Sequence, residues 1–481
     1  MGRVNKTSLR DEFDHLKSEF ARLSASNKIS SESMVLFKAM FMLFEVMIAV
    51  FLEKQTKKNS KNSSIPSSQT GKDESSTQPG TNSKGKEENG LIFSNSRVKE
   101  STKVSKVRFC ESCGEDLENT PCDEQERRTK IDIIFEKVVL HVDAEIKTCP
   151  ICEATTKGRF PSDMPGPLQY GLGVKAYILN LFIAQMVSLN RIRKSITSLI
   201  GQTISEATIL KYVIQLHLAL EPWENSAIEQ LLTAPAIHAD ETSLRVDKKN
   251  HWVHVYSSGD ITLKFIHHKR GKEAIDDIGI IPRYGGVIIH DCWASYLSYE
   301  NCEHGLCGSH LLRELTFVVD SNGYSWAVNM KKLLQETSAK ISRRKSKKLS
   351  QREYKNLQKR YRNILTRGEK ELPLSPVRRK GQRGRIAKSD AHNLLERLQQ
   401  HEQSVLLFAA RSHVSFTNNR AERDLRMDKV KQKVAGCFRK IELARAYCRI
   451  SSYLATMANK GYNPLLAIQI AINGQLYAEN T

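Results

Sequence analysis

The chain is poor in cysteine, with 10 in 481 residues, and that scarcity excludes a disulfide-dense secreted scaffold. It shows no internal repeat, so a solenoid or propeller is not expected. Its first residues, MGRVNKTSLRDEFDHLK, lack the apolar core of a signal peptide, which points to a cytoplasmic protein in a reducing compartment. Acidic residues are also in deficit: 53 Asp and Glu face 74 Lys and Arg, leaving +21 and a pI near 9.5. A field of that sign attracts polyanions, of which nucleic acid is the commonest; a ribosome-associated or membrane-surface protein has the same composition. With 40% hydrophobic and 26% charged residues the chain is otherwise an ordinary globular protein, long enough for roughly two to four units.

Only one run is long and apolar, 34–52. Lys38 and Glu45 interrupt it at a spacing of seven, on one helical face. It therefore reads as an oligomerising or buried helix, not a membrane span. Residues 1–55 form this N-terminal helical segment. Residues 56–106 are Lys, Asn, Ser, Thr and Gln with almost no large apolar side chain, the composition of a flexible linker. A small unit with two cysteine pairs spans 107–158, and IDIIFEKVVLHVDAEI between the pairs reads as two short strands. From 159 to 232 helical periodicity prevails. Ile192, Ile196, Leu199 and Ile200 share a face, Gly201 ends that helix, and Ser205 is a good N-cap for the next. The pattern fits a helix-turn-helix and an ordinary helical hairpin equally.

An α/β core is expected over 233–440. IHADETSLRV, HWVHVYSS and TLKFIHHK read as strands, EAIDDIG as a helix and YGGVIIHD as a buried strand; GLCGSH then runs into a helix. A Lys/Arg-rich helical insertion follows at about 322–412, broken by the loop LPLSPVRRKGQRGR, and a helical segment at 441–481 ends the chain.

Three acids stand out by position. Asp240 lies in the first core strand, Asp291 ends the apolar strand VIIH, and Glu422 follows an Asn pair placed to cap a helix. Phosphoryl transfer by two metal ions needs such hard oxygen donors, from separate elements, to hold two Mg²⁺ roughly 3.5–4 Å apart. On the helix after Glu422, Arg426, Lys429 and Lys433 recur on the same face, a track for DNA phosphates beside a metal ligand. Met427, Val430 and Val434 fall on another face, which would pack on the sheet.

Cys110-x-x-Cys113 and Cys149-x-x-Cys152 supply four thiolates, enough to close a tetrahedral structural Zn²⁺ site, and Gly114 suits a tight knuckle turn. The intervening loop of 35 residues is longer than in many zinc ribbons. Cys307-x-x-His310, with Arg313 a turn further on, follows Asp291 closely; it reads as support for the core or, joined by Cys302, as a second metal site.

From residue 57 onward the order of these segments resembles transposases of the insertion sequence 66 family. KKNSKNSSIPSS is similar to that family's linker signature, with Ile65 at its first proline. The paired C-x-x-C unit resembles its zinc segment, and PLQYGLGVKAYILNLFIAQMVSLNRI with GQTISEATI resembles the stretch before its core. ADET, HDCWASY and NNRAERDLR resemble its three acidic motifs, in order and with a long gap before the third. Two segments depart from the pattern: the N-terminal helix is unusually apolar, and KVKQKVAGCF replaces the usual run after the third motif.

The resemblance implies an RNase H-like catalytic core in which Asp240, Asp291 and Glu422 form a DDE triad using Mg²⁺ or Mn²⁺, supported by a Cys307/His310/Arg313 element. It implies a DNA transposase that cleaves and joins insertion-sequence ends, cytoplasmic and nucleoid-associated in bacteria. Its expected partners are element-end and target DNA, further copies of itself and accessory proteins of the same element, with no membrane. A non-catalytic DNA-binding derivative and a nuclease on the same fold are the alternatives.

Overall fold

The computed structural model describes residues 6–26, 29–56, 62, 101–131, 136–373 and 388–475. The loop at 374–387 and most of the polar linker lie outside them. Two compact units emerge, one comprising Met1–Lys86 with Trp223–Ser452, the other Glu87–Pro222 with Tyr453–Thr481.

In chain order the elements are α1 (Lys6–Ala25), α2 (Ser31–Gln55), β1 (Ile146–Thr148), β2 (Thr155–Lys157), α3 (Leu172–Leu179), α4 (Leu189–Ile200), α5 (Glu206–Ala219) and α6 (Glu221–Leu232). Then come β3 (Ala236–Val246), β4 (Lys249–Ser258), β5 (Ile261–His267), α7 (Lys272–Ile278), β6 (Val287–His290), α8 (Ala294–Leu297), β7 (Glu303–Leu306) and α9 (Gly308–Asn322). The chain finishes with α10 (Ser325–Ser342), α11 (Gln351–Glu371), α12 (Asp390–Gln400), α13 (Glu402–Ala410), α14 (Asn419–Ala435), α15 (Ile441–Asn459) and α16 (Pro464–Ile472).

The larger unit is built on a five-stranded sheet of order β5-β4-β3-β6-β7. β3, β4 and β5 form an antiparallel meander, while β6 lies parallel to β3 and β7 parallel to β6. The β3–β4 turn has two residues, Asp247 and Lys248, both at positive φ (46° and 62°), the type I′ geometry that matches strand twist. β6 is buried at all four positions, as a parallel strand covered on both faces must be. Over β6 and β7 the helices of the basic block close one core. Trp326, Met330, Tyr361, Leu365, Leu398 and Leu406 cluster with Val287, Ile289 and Leu306. The lysines and arginines of α11 are therefore the outer face of an amphipathic helix whose inner face carries Leu357, Tyr361 and Leu365. Gly368 permits the closest approach there, since a Cβ would come within 2.5 Å of Leu395 and 2.9 Å of Trp326.

The apolar run is α2, and of the two expectations for it, oligomerising or buried, burial does not hold for most of its length. Val35, Leu36, Met40, Leu43, Phe44 and Met47 are exposed. α1 covers only part of it, through an edge contact of Phe13 with Phe41 and tilted contacts of Phe20 with Phe37 and Phe41, and Glu45 pairs with Lys17. At its C-terminal end Glu53 is buried and accepts the N–H groups of Asp390 (2.8 Å) and Ala391 (3.1 Å), capping α12 from another element. The segment Ser33–Lys54 is long and apolar enough to cross a bilayer by length and composition.

In the smaller unit Gly201 ends α4 at φ 70° and Ser205 caps α5 by accepting the N–H of Thr208, as the sequence predicts. α16 packs on α3 and α5. Of the two strands expected between the cysteine pairs, residues 132–135 lie outside the described residues, and no strand is found among the described ones before Ile146. Residues 136–145 carry no strand, and only Ile146, at the end of that run, enters β1. Most of these residues are exposed, and up to Ala144 no strand is paired with them, so their β-propensity has little to act on.

Candidate active site

β3 and β6 start side by side, and β6 ends while β3 runs on to Val246. Their parallel register runs from Ala236↔Val287 to His238↔Ile289, and two steps further would set Asp240 opposite Asp291. Both carboxylates are oriented by the backbone. Asp240 Oδ1 accepts the N–H of Glu241 at 2.8 Å, and Asp291 Oδ1 accepts that of Trp293 at 3.1 Å. Between Asp291 and Trp293, Cys292 adopts φ 72°, a left-handed conformation uncommon for a side chain other than Gly, Asn or Asp. Burial drives the Asp240 carboxyl well above the usual range, and the charges of Glu241, Asp291 and Glu422 push it further. Glu422 arrives from the first turn of α14, which lies across β3 and β4. The structure thus gathers all three predicted acids into one electrostatic neighbourhood.

Asn418 fixes the third acid in place, but not by capping. It stands at the N-cap of α14, yet its side chain makes no cap bond. Nδ2 instead donates to Ala239 O at 2.8 Å and Oδ1 shares a hydrogen bond with His238 Nδ1 at 2.9 Å. These bonds clip the start of the Glu422 helix to the strand bearing Asp240. The backbone N–H of Asn418 also points at Cys307 Sγ, 3.1 Å away. Close by, Gly308 N–H donates to Phe416 O at 2.7 Å, an approach that needs glycine because a Cβ would sit 2.2 Å from the Phe416 ring. Cys307 and His310 are brought to Glu422: His310 Nδ1 lies 3.7 Å from Oε1, and Arg313 Nη2 lies 3.9 Å from Oε2. Burial lowers the His310 pKa despite that carboxylate. Cys302 is buried but does not join the group.

The faces of α14 differ from the expected arrangement. Met427, Val430 and Val434 are exposed and do not pack on the sheet. The buried face carries Ala421, Leu425, Asp428 and Lys431. Its polar groups find partners in the strands beneath. Asp424 accepts from Ser257 (2.8 Å), Thr262 (3.0 Å) and Arg420 (3.1 Å), and Asp428 pairs with Lys264 at 2.9 Å. A strand surface bearing Ser257, Thr262 and Lys264 selects a polar helix face over an apolar one. Of the basic ridge, Arg426 and Lys433 are exposed, while Lys429 donates to Ser243 O (2.6 Å) and Oγ (2.8 Å). Lys429 and Lys433 line a cleft of about 640 Å³ with Arg245, Lys248, Gln432, Gly436 and Cys437; four of these seven are cations.

A second device at the centre escaped sequence reading. Glu241, beside Asp240 in the chain, is buried and accepts Arg270 Nε (2.9 Å) and Nη2 (2.7 Å) on Oε1 and the Tyr296 hydroxyl (2.8 Å) on Oε2. The Arg270 guanidinium lies 4.9 Å from the ring centroid of Trp252 and 4.4 Å from that of Trp293. One cation therefore braces the residue after Asp240 and the residue two beyond Asp291. A buried Glu next to a candidate ligand was the available signal, but its partner 29 residues away was not.

The two cysteine pairs adopt one backbone motif twice. Cys110 N–H donates to Glu115 O and Gly114 N–H to Cys110 O; Cys149 N–H donates to Ala154 O and Glu153 N–H to Cys149 O, all at 2.9 Å. The turns close at positive φ, 78° at Gly114 and 53° at Glu153. Backbone N–H groups aimed at the sulfur lower the pKa of Cys110, chiefly that of Cys113, and of Cys149, chiefly that of Cys152. The four sulfurs are not gathered into one cluster. Among the described residues, Cys307, His310 and Glu422 form the one group of at least three such ligands close enough to share an ion.

No curated protein matches the chain. The sequence model described as "Transposase IS66 family" matches residues 167–446, a span that includes every element carrying Asp240, Asp291 and Glu422. That match covers more than half of the sequence, and the chain belongs to the IS66 family of transposases.

Proposed function

We propose that the protein is a DNA transposase that cleaves and joins the ends of its own mobile element, with Asp240, Asp291 and Glu422 as the metal-binding triad. The observation that carries this reading is the shared electrostatic neighbourhood of the three acids: burial, and after it the charges of Glu241, Asp291 and Glu422, push the Asp240 carboxyl up. Such a cluster is costly without a cation among its members, and its hard oxygen donors suit Mg²⁺ or Mn²⁺. Divalent ions held there would supply acidity to the attacking hydroxyl group and positive charge to the leaving oxygen. The chain's own part is orientation. Asp240 and Asp291 each commit one oxygen to a backbone N–H and present the other, while Asn418 sets the position of the Glu422 helix. Water would attack the phosphodiester at each element end, and the freed 3′-hydroxyl would attack target DNA in line, with no covalent enzyme intermediate.

The strand order, three antiparallel strands continued by two parallel ones, supports an RNase H-like core. The basic cleft lined by Lys429 and Lys433, together with exposed Arg426, is our choice for DNA phosphates. The repeated knuckle geometry of the cysteine pairs supports each as half of a structural Zn²⁺ site. In this reading the exposed flank of α2 serves oligomerisation.

The test is incubation of labelled element-end DNA with the protein and Mg²⁺ or Mn²⁺, comparing wild type with Asp291→Ala. Nicking and joining by wild type alone are expected. Cutting without joining would make the protein a nuclease on the same fold. Binding without metal-dependent cutting, once the element's other proteins are supplied, would make it a non-catalytic DNA-binding derivative.

A further inference from the structure

We propose that Cys307, His310 and Glu422 form a binding site for a borderline-soft divalent ion of the zinc class, which competes with the acidic triad for Glu422. One ligand atom from each of the three residues lies within 4.8 Å of the other two. His310 Nδ1 and Glu422 Oε1 face each other at 3.7 Å, and both are buried without a hydrogen-bond partner. That separation is too long for a hydrogen bond. It suits two ligands of one tetrahedral ion at about 2.0–2.1 Å from each. Leaving two such atoms orphaned is costly, and a shared cation satisfies both.

The sulfur environment agrees. Cys307 is 1% exposed at the start of α9, where the N–H groups of Asn418, His310 and Ser309 are directed at its Sγ. Donors converging on sulfur stabilise a thiolate, and thiolate, imidazole and carboxylate together select Zn²⁺ or Co²⁺ over Mg²⁺. In the absence of an ion, burial keeps the thiol protonated. Binding therefore forms one sulfur–metal bond and releases the thiol proton to solvent. Three protein ligands leave one position open.

The site stands on its own geometry; its consequence rests on the proposed catalytic role of Glu422. With Oε1 given to the thiolate-bound ion, only Oε2, which Arg313 Nη2 approaches at 3.9 Å, is left for an ion held by Asp240 and Asp291. Zinc-class ions would thus withdraw the third carboxylate and hold the enzyme inactive.

Co²⁺ is the probe, added to the full chain and followed by sulfur-to-cobalt charge-transfer absorption and by binding stoichiometry. Cys307→Ser and His310→Ala are each expected to bind one Co²⁺ fewer than wild type, or to bind it at least about tenfold more weakly. Cys307→Ser should also lose part of the charge-transfer band, the remainder belonging to the two cysteine pairs. Far-ultraviolet circular dichroism identifies a variant that has lost its fold, in which case the other decides. Equal stoichiometry and equal spectra in wild type and the folded variant would overturn the site. In the second arm Zn²⁺ is titrated into Mg²⁺-dependent DNA cleavage, with inhibition expected to need about tenfold more Zn²⁺ in Cys307→Ser. Equal inhibition would overturn the competition. A cobalt difference in a wild-type protein that never cleaves DNA would retain the metal site and remove the transposase reading.

Discussion

Lys264 and Asp428, 164 residues apart, form an ion pair at 2.9 Å with side chains 2% and 0% exposed. The pair joins β5 to α14, and Lys264 Nζ also donates to Ser451 Oγ at 3.2 Å. Removing one member leaves a buried charge without its partner. Lys264→Met is expected to cost about 3–5 kcal/mol in urea unfolding. The double replacement Lys264→Met with Asp428→Leu should recover most of that loss, because two apolar side chains have no charge to desolvate. Losses that simply add in the double variant would show that the pair is not coupled.

Arg270 supports both aspartate-bearing segments through Glu241 and Trp293. Its loss strands Glu241, which is 1% exposed, although Arg270 itself is 42% exposed and partly screened. Arg270→Ala should cost about 2 kcal/mol, less than a fully buried pair would. Arg270→Lys should not restore it, since a point charge cannot bring two N–H groups onto one oxygen from a planar fork or stack between rings. Tryptophan fluorescence reports the stack directly. Unchanged emission and stability in Arg270→Ala would sink the bracing role.

The Asp240 carboxyl has its pKa raised in the folded chain, so the folded state holds that proton more tightly than the unfolded one. The stabilising contribution is complete below the ordinary value of 3.8 and is lost as pH rises through the folded value. Above pH 3.8 that raised pKa therefore destabilises the metal-free protein. Asp240→Asn should raise Tm at pH 7, by about 2–4 °C for each kcal/mol relieved, and the gain should shrink as pH falls toward 4. Added Mg²⁺ or Mn²⁺ should raise Tm in the wild type and leave the variant nearly unmoved. A variant with lower Tm than wild type at pH 7 would contradict the repulsion.

Much of the candidate site was legible because it depends on local pattern. A run of apolar β-branched residues ending in an acid sets Asp291 at a strand end, and Asp240 sits within an alternating strand beside it. The C-x-x-C spacing likewise led to the knuckles. What was not legible is partner choice across the fold. Periodicity assigned Met427, Val430 and Val434 to the sheet, but Ser257, Thr262 and Lys264 on the strands reverse the preference. Asn418 has the residue type of a cap, and its carboxamide is used instead by a strand nearly 180 positions away. Helix propensity and capping rules see only neighbours in sequence, so neither could anticipate those choices.

The Asn418 clip has a consequence for the order in which the molecule is made. Its bonds to His238 and Ala239 span 180 and 179 residues, so the third carboxylate docks only after the chain between them has been synthesised and folded. Closing so long a loop is entropically costly, and in the folded chain the intervening helices shorten it by packing around Trp326, Tyr361 and Leu398. A chain emerging from the ribosome thus displays both aspartates well before it can set a glutamate beside them. Synthesis itself acts as a timer, and a fragment cut short in the helical block is born with both aspartates but without Glu422.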